Sequence, residues 1–530
     1  MMRQQIEQAI RSVLPDTAFV VERPRALEHG DYSTNAALVA KVDPQELAAK
    51  LQIEGVEKVE VVGKFINFHL SRESLVPKEQ QIPQLYAGKK ILIEYTSPNL
   101  FKPLHIGNLV SNILGESVAR LLEYTGAQVT RINYPSDIGL TVAKGVWGLQ
   151  KLNLDPTDIA QLGHAYVAGT EAYEGAAKKE IETINKALYE DTDPALSALR
   201  AAGIATSRKH LDELCARLGT KFDKEFFESE SGPLGRELVR GGLGVVFEES
   251  EGAIVYRGEQ DGLHTRVFLT SQGLPTYEAK DLGLLKLKLG TYPDFDITIT
   301  DTGPEQREYF KVLYVVARKI FPELAKKELK HIAHGYLKLS TGKMSSRIGN
   351  VITGESLLEE VTAAARDRED VAVGALKYTV LKSGSGKDII FDPEKSLSLE
   401  GDSGPYLQYA LVRARALLRK AKEAGIDPGE WPQDGRRSGA LAQVLPSPMV
   451  PLARVLVHYV DAIERAAKEM EPHYVTTYLT ELAAAFNSWY AQEKVIGGPH
   501  QQYGLFLTQA VERTLAQGLH VLGIPTPEEM

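Results

Sequence analysis

Cysteine is almost missing from this chain: among 530 residues, Cys215 stands alone. A single thiol excludes a disulfide framework and any cysteine-based zinc site. Long apolar runs are missing as well, and none approaches the ~20 residues needed to span a bilayer. The opening stretch MMRQQIEQAIRSVL is interrupted by Gln, Glu and Arg. It therefore reads as an amphipathic helix rather than a secretion signal, and a cytoplasmic location is expected. Positive charge is in deficit, with 61 Lys and Arg against 70 Asp and Glu, a net −9. That balance argues against a protein that coats nucleic acid indiscriminately.

What is present describes a soluble globular chain, 43% hydrophobic and 25% charged, long enough for three or four domains. The charge is uneven. Nine Lys or Arg and two acids lie between Lys311 and Arg347, so part of this run could meet phosphates although most of it reads as a solvated helix face. Gly384-Ser385-Gly386-Lys387 resembles half a P-loop. Leu381 stands where the leading Gly should be and Asp388 replaces Ser or Thr, so no P-loop is expected.

The most informative stretch is Lys90–Tyr124. Ile91-Leu92-Ile93 reads as a buried strand ending at Glu94-Tyr95, and a loop with Pro98 and Pro103 follows. His105-Ile106-Gly107-Asn108 then opens a helix whose apolar positions Val110, Ile113, Leu114, Val118, Leu121 and Leu122 share one face. Asn108 is the expected N-cap and Gly126 the stop. A helix mouth of this kind favours a polyphosphate: Gly107 allows close approach, and His105 can donate to a phosphate oxygen. Far downstream, Lys343-Met344-Ser345-Ser346-Arg347 follows a second apolar run ending at Leu337.

These two signatures resemble the HIGH and KMSKS motifs of the class I aminoacyl-tRNA synthetases. The arginyl branch fits closely, through EYTSPN at 94–99, KPLH at 102–105, TYEAKD at 276–281 and GPYLQY at 404–409. The segments occur in the family's order over nearly the whole chain. The resemblance implies an α/β fold: a Rossmann-like parallel-sheet catalytic domain, a small α+β N-terminal domain and an all-α anticodon-binding domain. The expected limits are 1–80 for the tRNA-contacting N-terminal domain and 81–350 for the catalytic domain, with a helical insertion at about 140–230. A connecting segment at 351–395 and the helical domain at 396–530 follow.

The implied reaction is ATP-dependent ligation of L-arginine to tRNA(Arg) through an arginyl-adenylate. Lys102, His105, Asn108 and Lys343 are the catalytic candidates, with His105, Gly107, Asn108, Gly335, Lys343, Met344, Ser345 and Ser346 at ATP. The family usually has His where Asn108 stands. Ser346 replaces the second lysine of KMSKS, and Lys102 is expected to supply the missing cation. By resemblance Glu94, Ser97, Asn99, Tyr277, Asp281 and Gln306 line the arginine pocket, since a guanidinium demands carboxylates placed to receive its planar fork. Tyr32, Asn35, Arg413, Arg415 and Trp489 are expected at tRNA. Mg2+ is expected on the nucleotide, no zinc and no protein-caged metal, and a monomer. Two other readings stand beside this one: a synthetase for glutamate or cysteine, and a non-catalytic RNA-binding paralogue.

Overall fold

The computed structural model describes residues 2–24, 26–77, 80–340, 353–427 and 445–530. Its centre is a five-stranded sheet. The strands are β1 (Lys90–Glu94), β2 (Gln128–Asn133), β3 (Lys224–Glu225), β4 (Ile297–Thr302) and β5 (Glu328–Ala333). They run in the order β3-β2-β1-β4-β5, and every pair is parallel. Helix α1 (Ile106–Tyr124) joins β1 to β2, α2 (Tyr277–Thr291) precedes β4, and α3 (Arg307–Ile320) joins β4 to β5.

The apolar run in β1 is continuous because the strand is covered on both sides. Ile91 and Ile93 pack in one core with Val110, Ile113 and Val118 of α1. Leu92 packs in a second core with Leu282 and Leu285 of α2 and Val316 of α3. The chain first builds outward from β1 through β2 and then returns to its other side with β4. The loops after β1 and β4 therefore diverge and open a crevice at the carboxyl ends of the strands.

Helices Leu140–Leu152, Ile159–Tyr173, Lys178–Glu190 and Pro194–Arg217 form the insertion between β2 and β3. Their core is Val142, Val146, Leu149, Leu162 and Leu188 together with Leu100 and Phe101. Trp147, Tyr166 and Tyr173, which the sequence suggests as this core, are only half-buried; Trp147 and Tyr173 turn polar atoms to Glu180 and Glu182. Not every strand of this unit joins the parallel sheet. Ala253–Tyr256 and Arg266–Leu269 join Glu248–Ser250 in a separate antiparallel sheet. The cause is local. Glu251 and Gly252 both have positive φ, +52° and +79°, and a two-residue turn of that kind closes a hairpin.

Before the central sheet, a four-stranded antiparallel sheet carries the helices Met2–Val13 and Pro44–Lys50. After it, a connecting stretch with helices Gly354–Ala364 and Glu369–Leu381 leads into a C-terminal unit whose described helices are Gly404–Glu423, Val450–Leu456, Tyr459–Glu469, His473–Gln492 and Gln501–Val521. The second and third of these are separated only by Val457-His458. The N-terminal unit docks on these helices through charged pairs, Asp31 with Arg454 at 2.6 Å and Arg3 with Glu464 at 2.5 Å. Helix α1 reaches the same helical unit, with Ser117 Oγ donating to Val521 O at 3.2 Å. One helix thus abuts the crevice at its start and the C-terminal unit at its end.

Candidate active site

The mouth of α1 differs from its reading in the sequence. His105, not Asn108, is the N-cap: its Nδ1 accepts the Gly107 N–H at 3.0 Å. With Nδ1 used as an acceptor, the proton of the neutral ring sits on Nε2, which is left as a donor. The ring stays neutral. Burial, then the charges of Lys102 and His334, lower its pKa to about 4. Gly107 has a local reason as well, because a Cβ there would stand 2.7 Å from the His105 ring.

Asn108 instead turns inward and donates from Nδ2 to Thr96 O at 2.8 Å. Ser111 accepts the Thr96 N–H at 3.0 Å, and Asn112 donates to Thr96 Oγ1 at 3.0 Å. Positions 108, 111 and 112 lie on one face of the helix. They hold a residue that would otherwise be strained, since Thr96 has φ +71°, and Ser97 and Phe101 in the same loop have +36° and +64°. Positive φ at such residues costs on the order of 1–3 kcal/mol each and persists only where surrounding bonds enforce it. Ser111 and Asn112 were missed in the sequence. Their signal was polar residues on the buried face of a helix, at three and four residues from Asn108.

The second wall belongs to charged groups. Glu94, at the end of β1, is paired with buried Lys288 of α2 at 2.5 Å. Glu228 is paired with Lys280. Asp281, one residue on and four after Tyr277, has no cation of its own among the described residues and accepts the Tyr309 hydroxyl of α3. Burial first, then the charge of Glu94, push its pKa up to about 8. Three carboxyl groups thus face two ammonium groups, and the site is one cation short. Tyr134, also unforeseen, closes this region through a hydrogen bond between its hydroxyl and that of Ser231 at 2.6 Å. Lys288 was missed in the sequence as well; it lies seven positions after Asp281, two turns along the same helix face.

The expected residues divide as follows. Lys102, His105 and His334 converge beside Gly335, where a Cβ would lie 1.7 Å from Lys387 O. Glu94 and Asp281 lie close enough on the acidic wall for their charges to interact, and Tyr277, 62% exposed, lies in the first turn of α2. Gln306 is the N-cap of α3, one turn before Tyr309. Ser97 and Asn99 are engaged by the chain after β2: Ser97 Oγ accepts the Tyr134 N–H at 3.2 Å, and Asn99 bridges to Ser136. Lys343, Met344, Ser345 and Ser346 lie outside the described residues.

Of the residues expected at tRNA, two are buried inside the protein. Trp489 is 5% exposed and packs on Phe486; Tyr32 is 3% exposed and donates to Asp461 at 2.7 Å. Neither can stack on a base in this arrangement. Arg415 is engaged by Glu512 at 3.0 Å. Arg413 sits between the Tyr409 and Tyr490 rings and donates to Asn487 at 2.7 Å. Asn35 accepts the Val20 N–H at 3.0 Å. Arg419, Lys420 and Lys422 on the same C-terminal helix are exposed.

Comparison with known proteins agrees along the chain. Residues 71–373 match the family model for the catalytic domain of tRNA synthetases class I (R). Residues 1–70 match the arginyl tRNA synthetase N-terminal domain, and 407–530 the DALR anticodon binding domain. A Treponema denticola protein named arginine–tRNA ligase is 30% identical, the alignment covering 93% of this chain and 90% of that protein. One of the same name from Flavobacterium psychrophilum is 27% identical over 100% of this chain and 95% of its own. The solved Thermus thermophilus arginyl-tRNA synthetase superposes with a TM-score of 0.81 at 28% identity, covering 100% of both chains. Family models and full-length relatives agree with the crevice, its capped helix and its acidic wall: this chain belongs to the arginyl family of class I tRNA synthetases.

Proposed function

We propose that this protein is an arginine–tRNA ligase, and that Asp281 is the group that receives the arginine side chain. The observation that carries this reading is the charge balance of the acidic wall. Glu94 and Glu228 have buried lysines, whereas Asp281 has a tyrosine hydroxyl and a raised pKa. A guanidinium supplies the missing cation and five donors in one plane. A glutamate side chain would add a fourth carboxyl group to the same wall.

The reaction proceeds in two steps. The arginine carboxylate attacks the α-phosphorus of ATP, the α–β bridging bond breaks, and pyrophosphate leaves. A ribose hydroxyl of the terminal adenosine of tRNA then attacks the arginyl carbonyl. The hydroxyl proton is released and AMP departs. Neither step forms a covalent enzyme intermediate, so the protein contributes position and charge. His105 donates from Nε2, Lys102 supplies positive charge to the phosphates, and the mouth of α1 presents backbone N–H groups. Asn108 acts through Thr96, fixing the loop between the two walls. Among the described residues no three His, Cys, Asp or Glu side chains converge as metal ligands. Mg2+ is carried by the nucleotide's own phosphates, whose oxygens are the hard ligands it prefers. The N-terminal unit and the exposed face carrying Arg419, Lys420 and Lys422 contact tRNA, and the protein acts as a cytoplasmic monomer.

The test is discrimination against citrulline, which keeps the shape of arginine and loses its charge. A site that leaves a carboxylate unpaired should reject it by ~10⁴ or more in kcat/KM for charging. Comparable charging of the two would refute the role given to Asp281.

A further inference from the structure

The residue before Lys102 fastens the active-site loop to the helical insertion. Phe101 is fully buried with φ +64°. Its ring fills a slot between two helices of the insertion, and glycine lines both walls. A Cβ at Gly145 would stand 2.6 Å from Cδ1, and one at Gly203 would stand 2.3 Å from Cζ. Glycine inside a helix is unfavourable relative to alanine, so two of them opposite one ring call for a packing reason. The Phe101 N–H donates to Ser207 Oγ at 3.1 Å, one turn beyond Gly203. The next side chain then runs along the insertion: Lys102 Nζ lies 5.9 Å from the ring centroid of Tyr166. No carboxylate pairs with it among the described residues, and burial lowers its pKa.

A lysine has four rotatable bonds and by itself holds its ammonium group in no single place. Here the residue immediately before it is held at three points, its ring by Gly145 and Gly203 and its backbone N–H by Ser207. We propose that Phe101 is a positioning residue for the reaction, and that its seat between Gly145 and Gly203 sets where Lys102 meets the nucleotide phosphates. The helical insertion thereby controls the rate of arginine activation through one aromatic ring. This rests on the role of Lys102 proposed above. The ring itself packs in the core of the insertion.

The test uses the full chain with tRNA present, measuring the rate of arginine-dependent pyrophosphate exchange, both KM values and Tm. Gly203→Ala, which pushes on the ring, should slow activation by roughly 10- to 100-fold, with the KM for ATP and for arginine within about twofold. Ser207→Ala removes the acceptor of the Phe101 N–H and should slow it about 3- to 10-fold. Adding Phe101→Leu to Gly203→Ala makes room for the methyl and should restore most of the rate. In a Lys102→Ala background, Gly203→Ala should have no further effect, because the group it displaces is gone. Should Gly203→Ala fail to fold, Ser207→Ala with and without Lys102→Ala decides the same point. Wild-type rates in Gly203→Ala and Ser207→Ala, with Lys102→Ala slow, would overturn the anchor. So would effects that multiply fully with Lys102→Ala. A Lys102→Ala protein at full rate would instead remove Lys102 from the reaction.

Discussion

Asp281 makes arginine binding depend on pH in a calculable way. Its pKa stands at about 8 in the free protein. The guanidinium binds the ionised carboxylate, so binding must release the proton that Asp281 carries at lower pH. The ionised fraction of a group with pKa 8 is about 1% at pH 6 and half at pH 8. The Kd for arginine should therefore fall about fiftyfold between those values, with close to one proton released per arginine at pH 6. His105 at the mouth of α1 and His331 of β5 do not confuse the measurement, since burial lowers their pKa values to about 4. Calorimetry in buffers of different ionisation enthalpy gives both the Kd and the proton count. Asp281→Asn should flatten the profile and weaken binding by roughly 10²- to 10³-fold, with the KM for ATP close to wild type, the loss expected for one partner of a buried charged pair.

The same shift has a consequence for stability. The folded pKa lies above the unfolded value of 3.8, so ionising Asp281 in the empty site opposes folding, and stability falls as pH rises from about 4 to 8. Asp281→Asn should accordingly raise the Tm of the ligand-free protein at pH 8 and leave it near wild type at pH 4. A Kd for arginine that does not change between pH 6 and 8, or an Asn variant that binds arginine normally, would refute the reasoning.

Other outcomes follow from the same geometry. His105→Ala removes both the helix cap and the Nε2 donor. It should cost about 1 kcal/mol of stability and slow activation by ~10² or more, whereas His105→Asn should keep the cap and still lose the rate. Ser111→Ala leaves the N–H of strained Thr96 without its acceptor. It should lower stability by about 1–3 kcal/mol in denaturant titration and slow activation as the loop shifts. On the C-terminal helix, Arg419→Gln and Lys422→Gln should each reduce the salt dependence of tRNA affinity by about one ion. Arg415→Gln, whose charge is already matched by Glu512, should leave the salt slope nearly unchanged.

The strand, loop and helix at 90–124 were legible because each rests on local pattern: an apolar run, two prolines, and a helical face of apolar residues. That the central sheet is parallel was legible from the resemblance, but its strand order was not. Partners joined across long separations were not. Nothing near Glu94 in the chain announces Lys288, 194 residues away, and nothing near Tyr32 announces Asp461. The identity of the helix cap was lost to propensity, since Asn is the commoner cap and His105 takes the place through its ring nitrogen. Trp489 shows the opposite error. It was expected at tRNA by resemblance, but its ring lies in the core, where apolar area is best placed. The strain at Thr96, Ser97 and Phe101 is invisible in residue type, because Thr, Ser and Phe are not residues that favour positive φ.

The central claim is that this chain attaches arginine to tRNA. The most direct measurement is charging of total tRNA by the full-length protein with ATP and one amino acid per reaction. Arginine alone should yield aminoacylated tRNA, with AMP formed in equal amount. Charging with a different amino acid, or no charging with any of them, would contradict it.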